Sequence, residues 1–177
     1  MEFINTAIQG VVVVKGKRFA DSRGFFSEQY KESLFVENEI PKFVQDNMSE
    51  SSTGVIRGLH WQKSPFAQGK LVTCLTGAIL DVAVDVRASS PTYGKHVAIE
   101  LSASEPISLW VPEGFAHGFQ ALQDVTRVFY KVTNYWNKGS ERSLNPLDPD
   151  IGIAWPISKH ILSEKDAEAP NFKEIIL

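Results

Sequence analysis

The sequence predicts an all-β fold, a sandwich or rolled barrel of short antiparallel strands, and three observations carry that reading. From residue 54 onward, runs rich in Val, Ile, Leu and aromatic residues are cut by turn formers: Gly54, Gly69, Gly77, Ser89-Ser90-Pro91 and Pro112-Glu113-Gly114. Two runs alternate with period two, Val82, Val84 and Val86 against Asp81, Asp85 and Arg87, then Val97, Ile99 and Leu101 against His96, Ala98 and Glu100. Each is expected to be a strand with one buried, aliphatic face. Helical patterning is confined to Lys31–Glu39 and to a segment running from an N-cap-like Ser163 to Ala169.

Taken in chain order, the first apolar run, Val11 to Val14, stops at Lys15 and follows a terminus with no basic region, so it reads as a strand and not as a signal peptide or membrane span. With 177 residues, 43% of them hydrophobic and 22% charged, the chain is expected to form a single domain over 1–177. Gly and Pro are scattered as turn residues and never gather into a linker. The lone cysteine, Cys74, lies in the apolar run Leu71 to Leu75 and reads as a small core residue, which leaves no disulfide framework and no cysteine metal cluster. These features point to a reducing, cytoplasmic setting. A formal net charge of −3 argues against nucleic acid as a partner, because a basic face is needed to displace counterions from phosphates.

Phosphate loops, Gly-x-Gly-x-x-Gly, nucleophile elbows and His-Glu-x-x-His are absent from the sequence, and four polar blocks remain. The first is Val55-Ile56-Arg57-Gly58-Leu59-His60-Trp61-Gln62, followed by Gln68-Gly69-Lys70. Strict alternation sets Arg57 and His60 on opposite faces, and a bulge at Gly58 turns both inward. An isolated strand histidine is ordinarily a hydrogen-bonded structural residue; the nearby Arg57 and Lys70 favour a site. In the second block, Pro112-Glu113-Gly114-Phe115-Ala116-His117, the Pro-x-Gly-x-x-His turn is similar to the second cupin motif. The first cupin motif would need His-x-His, whereas Trp61 and Gln62 follow His60. Two histidines beside a lysine make a poor divalent site, so a metal-free cupin barrel is expected. In the third block, Thr126, Val128, Tyr130 and Val132 share one strand face and Arg127 and Lys131 the other, which turns Tyr130 inward as either a core tyrosine or a catalytic one. The fourth block, Leu162-Ser163-Glu164-Lys165-Asp166, reads by itself as a solvated helix start.

Together these blocks, with Arg23-Gly24-Phe25-Phe26-Ser27-Glu28, Val44-Gln45-Asp46-Asn47, Ala67 to Val72 and Asp81 to Arg87, resemble the dTDP-4-dehydrorhamnose 3,5-epimerase family in one continuous order. The resemblance implies a cupin-type jelly-roll barrel with a few short helices, a homodimer with shared active sites, no cofactor, and a dTDP-4-keto-6-deoxyhexose substrate inverted at C3 and C5. It also implies His60 as base, Asp166 as its orienting carboxylate, Tyr130 as general acid and Lys70 beside the ketone. Substrate contacts carry over to Arg23, Glu28, Gln45, Asn47, Arg57, His117, Glu141 and Lys165, with Tyr135 stacking on thymine and with Arg23 and Glu28 supplied by the neighbouring subunit. The stretch Trp136 to Pro146 departs from the family pattern.

The chemistry is coherent in physical terms. Protons beside a ketone leave when a positioned base takes them and something stabilises the enolate oxygen. Imidazole suits the first task and a lysine in a low-dielectric cavity the second. A tyrosine, protonated up to a pH of about 10, suits return of the proton on the other face. Arginine forks suit a pyrophosphate. The alternatives are a single-centre epimerase of the same family, a nucleotide-sugar-binding cupin without turnover, and a metal-dependent cupin oxygenase, which the missing His-x-His disfavours.

Overall fold

Six strands form one antiparallel sheet in the order β1 (Glu2–Asn5), β2 (Val12–Lys15), β10 (Ile107–Val111), β7 (Lys70–Thr76), β12 (Thr126–Val132) and β5 (Gln45–Ser51). Five more form a second, in the order β13 (Glu141–Ser143), β6 (Ile56–Gln62), β11 (Phe115–Ala121), β8 (Ala78–Asp85) and β9 (His96–Ser102). A separate hairpin joins β3 (Arg18–Asp21) to β4 (Gly24–Ser27). The computed structural model describes residues 1–175. The two sheets face each other as a cupin-type barrel, as the turn rhythm predicts.

Alternation along the strands builds three apolar layers. Val72, Leu109 and Val128 from the first sheet meet Ile79, Ala83, Phe115 and Phe119 from the second inside the barrel, and Cys74 joins them as expected. On the outer face of the first sheet, Val14, Leu71 and Trp110 pack under Phe35 of helix α1 (Glu32–Glu37). Phe35 is fully buried, a gain of roughly 2–3 kcal/mol that holds this short, uncapped helix in place. On the outer face of the second sheet, Leu59, Trp61, Val82 and Val84 pack under Leu144, Ile151, Trp155 and Phe172 of the C-terminal segment.

That third layer corrects one expectation. The alternation along Asp81 to Arg87 is real and its valine face is buried as expected, but the other face is buried too: Val82 and Val84 lie beneath the C-terminal segment, and Asp81 and Asp85 are fully enclosed on the opposite side. Asp85 is held there by Arg87, at 2.7 Å, and by the hydroxyls of Ser90 and Thr92, each at 2.6 Å. The run Val97 to Leu101 behaves as predicted, with Val97 and Leu101 buried and Ala98 and Glu100 exposed.

Candidate functional site

β6 and β11 approach each other closely enough that only glycine fits at the crossing. A Cβ on Gly58, whose φ is +130°, would fall 2.5 Å from the Cα of Gly118, and one on Gly118 would fall 2.6 Å from the carbonyl of Arg57. Here the register shifts: His60 pairs with His117 and Arg57 with Phe119, so two residues of β6 oppose one of β11. The predicted bulge is therefore present, and it brings Arg57 and His60 to one cavity.

The cavity has two lobes of about 430 Å³ each, which share His60, Lys70 and Tyr130. Arg57, His117, Lys165 and Asp166 border one lobe, with Ser49 and Phe119. Gln45, Asn47 and Glu141 border the other, with Gln62, Gln68 and Trp136. Tyr130 projects inward from β12, as its strand face predicts, and pairs with Asn47 of β5. Tyr135 is 62% exposed and borders neither lobe; its neighbour Trp136 borders the second. Arg23 and Glu28 also stand apart from the cavity, Arg23 at the tip of the exposed β3–β4 hairpin in an ion pair with Asp21.

His60 Nε2 lies 2.6 Å from Asp166 Oδ1. Asp166 is carried by the short helix α2 (Glu164–Ala167), whose N-cap is Ser163: the Ser163 hydroxyl accepts from the Asp166 backbone N–H at 3.2 Å. Far from being solvated, Asp166 is 3% exposed. Burial alone would raise its carboxyl; the His60 bond and charge, with help from Ser163, outweigh burial and hold it below the usual carboxylate range. With the Nε2–H donated to Asp166, Nδ1 of His60 keeps the lone pair.

His117 forms a second pair, Nε2 to Asp81 Oδ1 at 2.8 Å, in almost complete burial. Burial lowers the His117 imidazole, against the pull of Asp81. Among the described residues, Asp81 Oδ2 has no hydrogen-bond partner. Sequence reading missed Asp81, whose signal is a carboxylate inside an apolar run, and it missed Trp136, which borders the cavity in place of Tyr135.

Lys70 Nζ donates to the carbonyl of His60 at 3.1 Å, and burial brings its ammonium down to about 8 against the opposing charges of Asp81 and Glu141. Burial raises the Tyr130 phenol, and the Arg57 charge works against it. Arg57 is itself oriented, its Nε donating to the Ser51 hydroxyl and Nη2 to the Glu50 carbonyl, both at 3.0 Å. Lys165 pairs with Glu141 at 2.8 Å. Among the described residues no three His, Cys, Asp or Glu side chains gather in a metal-holding arrangement. The site thus offers a base, a neutral acid and several cations around one hollow.

Comparison with known proteins agrees with this chemistry. The family model for dTDP-4-dehydrorhamnose 3,5-epimerase matches residues 5–174. A protein of that name from Shigella flexneri is 47% identical over 97% of this chain and 96% of its own length. The crystal structure of dTDP-6-deoxy-D-glucose-3,5-epimerase from Legionella pneumophila, in complex with dTDP-4-keto-L-rhamnose, is 43% identical and superposes with a TM-score of 0.95, covering 99% of this chain and 94% of that one. A 3'-monoepimerase from Streptomyces bikiniensis, in complex with dTDP-quinovose, is 32% identical with a TM-score of 0.91, over 95% and 86% of the two chains. The chain therefore belongs to the dTDP-4-dehydrorhamnose 3,5-epimerase family.

Proposed function

We propose that this chain converts dTDP-4-dehydro-6-deoxy-D-glucose to dTDP-4-dehydro-L-rhamnose by inverting C3 and C5. The observation that carries the proposal is the shared border of the two lobes, where His60, Lys70 and Tyr130 face one hollow. His60 Nδ1 takes the proton from a carbon beside the C4 ketone, and Asp166 stabilises the imidazolium that results. The electron pair moves into the enolate, whose oxygen the Lys70 ammonium stabilises. Tyr130, kept protonated by burial, returns a proton on the opposite face.

Arg57 and Lys165 are placed to hold the pyrophosphate, with His117 beside them. Gln45, Asn47 and Glu141 serve the nucleotide end, with Tyr135 at its outer rim. A cytoplasmic setting fits a chain whose single cysteine is buried and unpaired.

The β3–β4 hairpin supports assembly as a homodimer. Among the described residues it pairs with no other strand, and it exposes Phe19, Phe25 and Phe26 at 59%, 59% and 67%. Such apolar exposure on a separate hairpin fits a partner's surface, where Arg23 and Glu28 would complete the neighbouring site. Mixing inactive Arg23→Ala and His60→Ala chains tests this: heterodimers that regain part of the activity support a shared site, and proven heterodimers that regain none refute it.

The reaction is tested by incubation with the keto-sugar in deuterated water, reading label at C3 and C5 by NMR. Label and inversion at both carbons are expected; inversion at one carbon alone makes this a monoepimerase. Tyr130→Phe should exchange deuterium without inverting. Normal inversion by that variant removes Tyr130 as the acid.

A further inference from the structure

Gln120 shares the outer face of β11 with Ala116, beneath the C-terminal segment, and is fully buried. Both ends of its amide serve one residue of that segment. Nε2 donates to the carbonyl of Ile157 at 2.8 Å, and Oε1 accepts from the Ile157 backbone N–H at 2.9 Å. The side chain thus does for Ile157 what a neighbouring strand does in a ladder. Buried amides and peptide groups require such partners, so the contact fixes Ile157 to the sheet.

A second fastening follows at Ile161. Its N–H donates to the Gly54 carbonyl at 3.0 Å, and its carbonyl accepts from the N–H of Ile56 at 2.9 Å. Between the two, the Lys159 carbonyl passes so near Gly54, whose φ is +84°, that a Cβ there would fall 2.5 Å from it. The chain then reaches Ser163, the cap of α2, and Asp166. From Pro156 to Lys165 every residue is exposed or half-buried, so little apolar packing holds this stretch. Hydrogen bonds at Ile157 and Ile161 fasten it instead. Those at Ile161 run from backbone to backbone, whereas those at Ile157 depend on the Gln120 side chain.

We infer that Gln120 is a positioning residue for the reaction, acting through Ile157 and the segment that follows to set Asp166 against His60. This rests on the reading of His60 as the base. The aspartate side chain is short, and its 2.6 Å contact with His60 tolerates little displacement of α2. Lys165 rides on the same helix but reaches Glu141 on a long flexible stem, which absorbs a shift of the backbone. Loosening Ile157 therefore disturbs the imidazole tautomer before it disturbs substrate binding.

The test uses Gln120→Met, which keeps the length and bulk of the side chain and removes both hydrogen-bonding ends. The readouts are nitrogen NMR of the histidine rings, with His60 assigned by difference from His60→Ala, and kinetics with the dTDP-linked keto-sugar. At a pH where imidazole is neutral, wild type should show His60 protonated on Nε2 alone. Gln120→Met should show both tautomers, with kcat lowered about tenfold and KM within about twofold of wild type. Placed beside Asp166→Asn, the same substitution should lower kcat by less than about twofold further, because the group it acts through is already gone. A single His60 tautomer with wild-type kcat in Gln120→Met would mean that Ile161 alone seats the segment. An undiminished loss beside Asp166→Asn would make Gln120 a general structural support; either result overturns the inference. If Gln120→Met does not fold, Gln120→Asn, with its amide one methylene closer to β11, decides by the same readouts. A wild-type chain that neither exchanges nor inverts the sugar defeats the reading of His60 as base, while the spectra still decide whether Gln120 sets the pair.

Discussion

Two imidazole–carboxylate pairs stand side by side on β6 and β11, where His60 is the strand partner of His117. The donor sets are the same and the distances similar, 2.6 Å for His60–Asp166 and 2.8 Å for His117–Asp81. Their surroundings differ. The His60 side chain is 28% exposed and opens on the cavity, whereas His117 is 7% exposed and Asp81 fully enclosed. A pair open on one side exchanges a proton with whatever enters the cavity. A sealed pair keeps its charge distribution fixed, and its carboxylate then sets the field in which Lys70 stays protonated. Burial, not residue type, divides the labour between them.

The sharpest way to break this comparison is to remove each histidine in turn. His60→Ala should cost about a thousandfold in kcat, because general-base catalysis is lost, while dTDP binding by calorimetry stays near wild type. Near-normal turnover would show that the open pair is not the base. His117→Ala leaves the Asp81 carboxylate buried without a partner, a loss of about 3 kcal/mol. For a chain of this size that is a fall in Tm of roughly 6–12 °C by calorimetry. The same measurement on His60→Ala should move Tm far less, and equal losses would mean that both pairs are structural.

The smallest effect concerns pH. Lys70 is charged below about 8 and neutral above it, so kcat/KM should fall as pH rises through that value. Asp81→Asn removes the largest charge that holds the ammonium up, so the alkaline limb should move to lower pH by about one unit, some 1.4 kcal/mol. Lys70→Arg should move the limb out of the measurable range. A limb that stays in place in Asp81→Asn would separate the sealed pair from Lys70.

The barrel and the bulge beneath the open pair were legible in the sequence because local rules govern them, whereas local rules read the helix of Asp166 as solvated and only the family resemblance set its carboxylate beside His60. Gly58 announced the bulge that turns Arg57 and His60 together, and Ser163 announced the helix that carries Asp166. The sealed pair was not legible. A period-two pattern gives two faces and does not say which is interior when a further layer covers the outer one. Val82 and Val84 lie under Trp155 and Phe172, residues far downstream, and no local signal at Asp81 reports that cover. Likewise the resemblance points to Tyr135, whereas its neighbour Trp136 is the one that borders the cavity, a distinction that no local rule in the sequence makes.

The carboxylate that orients His60 lies 106 residues away in sequence and arrives on a segment that bridges to the barrel at Val55 and Ile161. Synthesis proceeds from the N-terminus, and contacts this distant in sequence carry the largest loop-closure cost. The barrel strands are therefore complete on the ribosome before Asp166 exists to dock. A nascent or partly unravelled chain has the imidazole without the carboxylate bonded to it, and lacks the wall that Ile161, Leu162, Ser163 and Lys165 give the cavity. The His60–Asp166 pair is thus complete only when the last segment is in place.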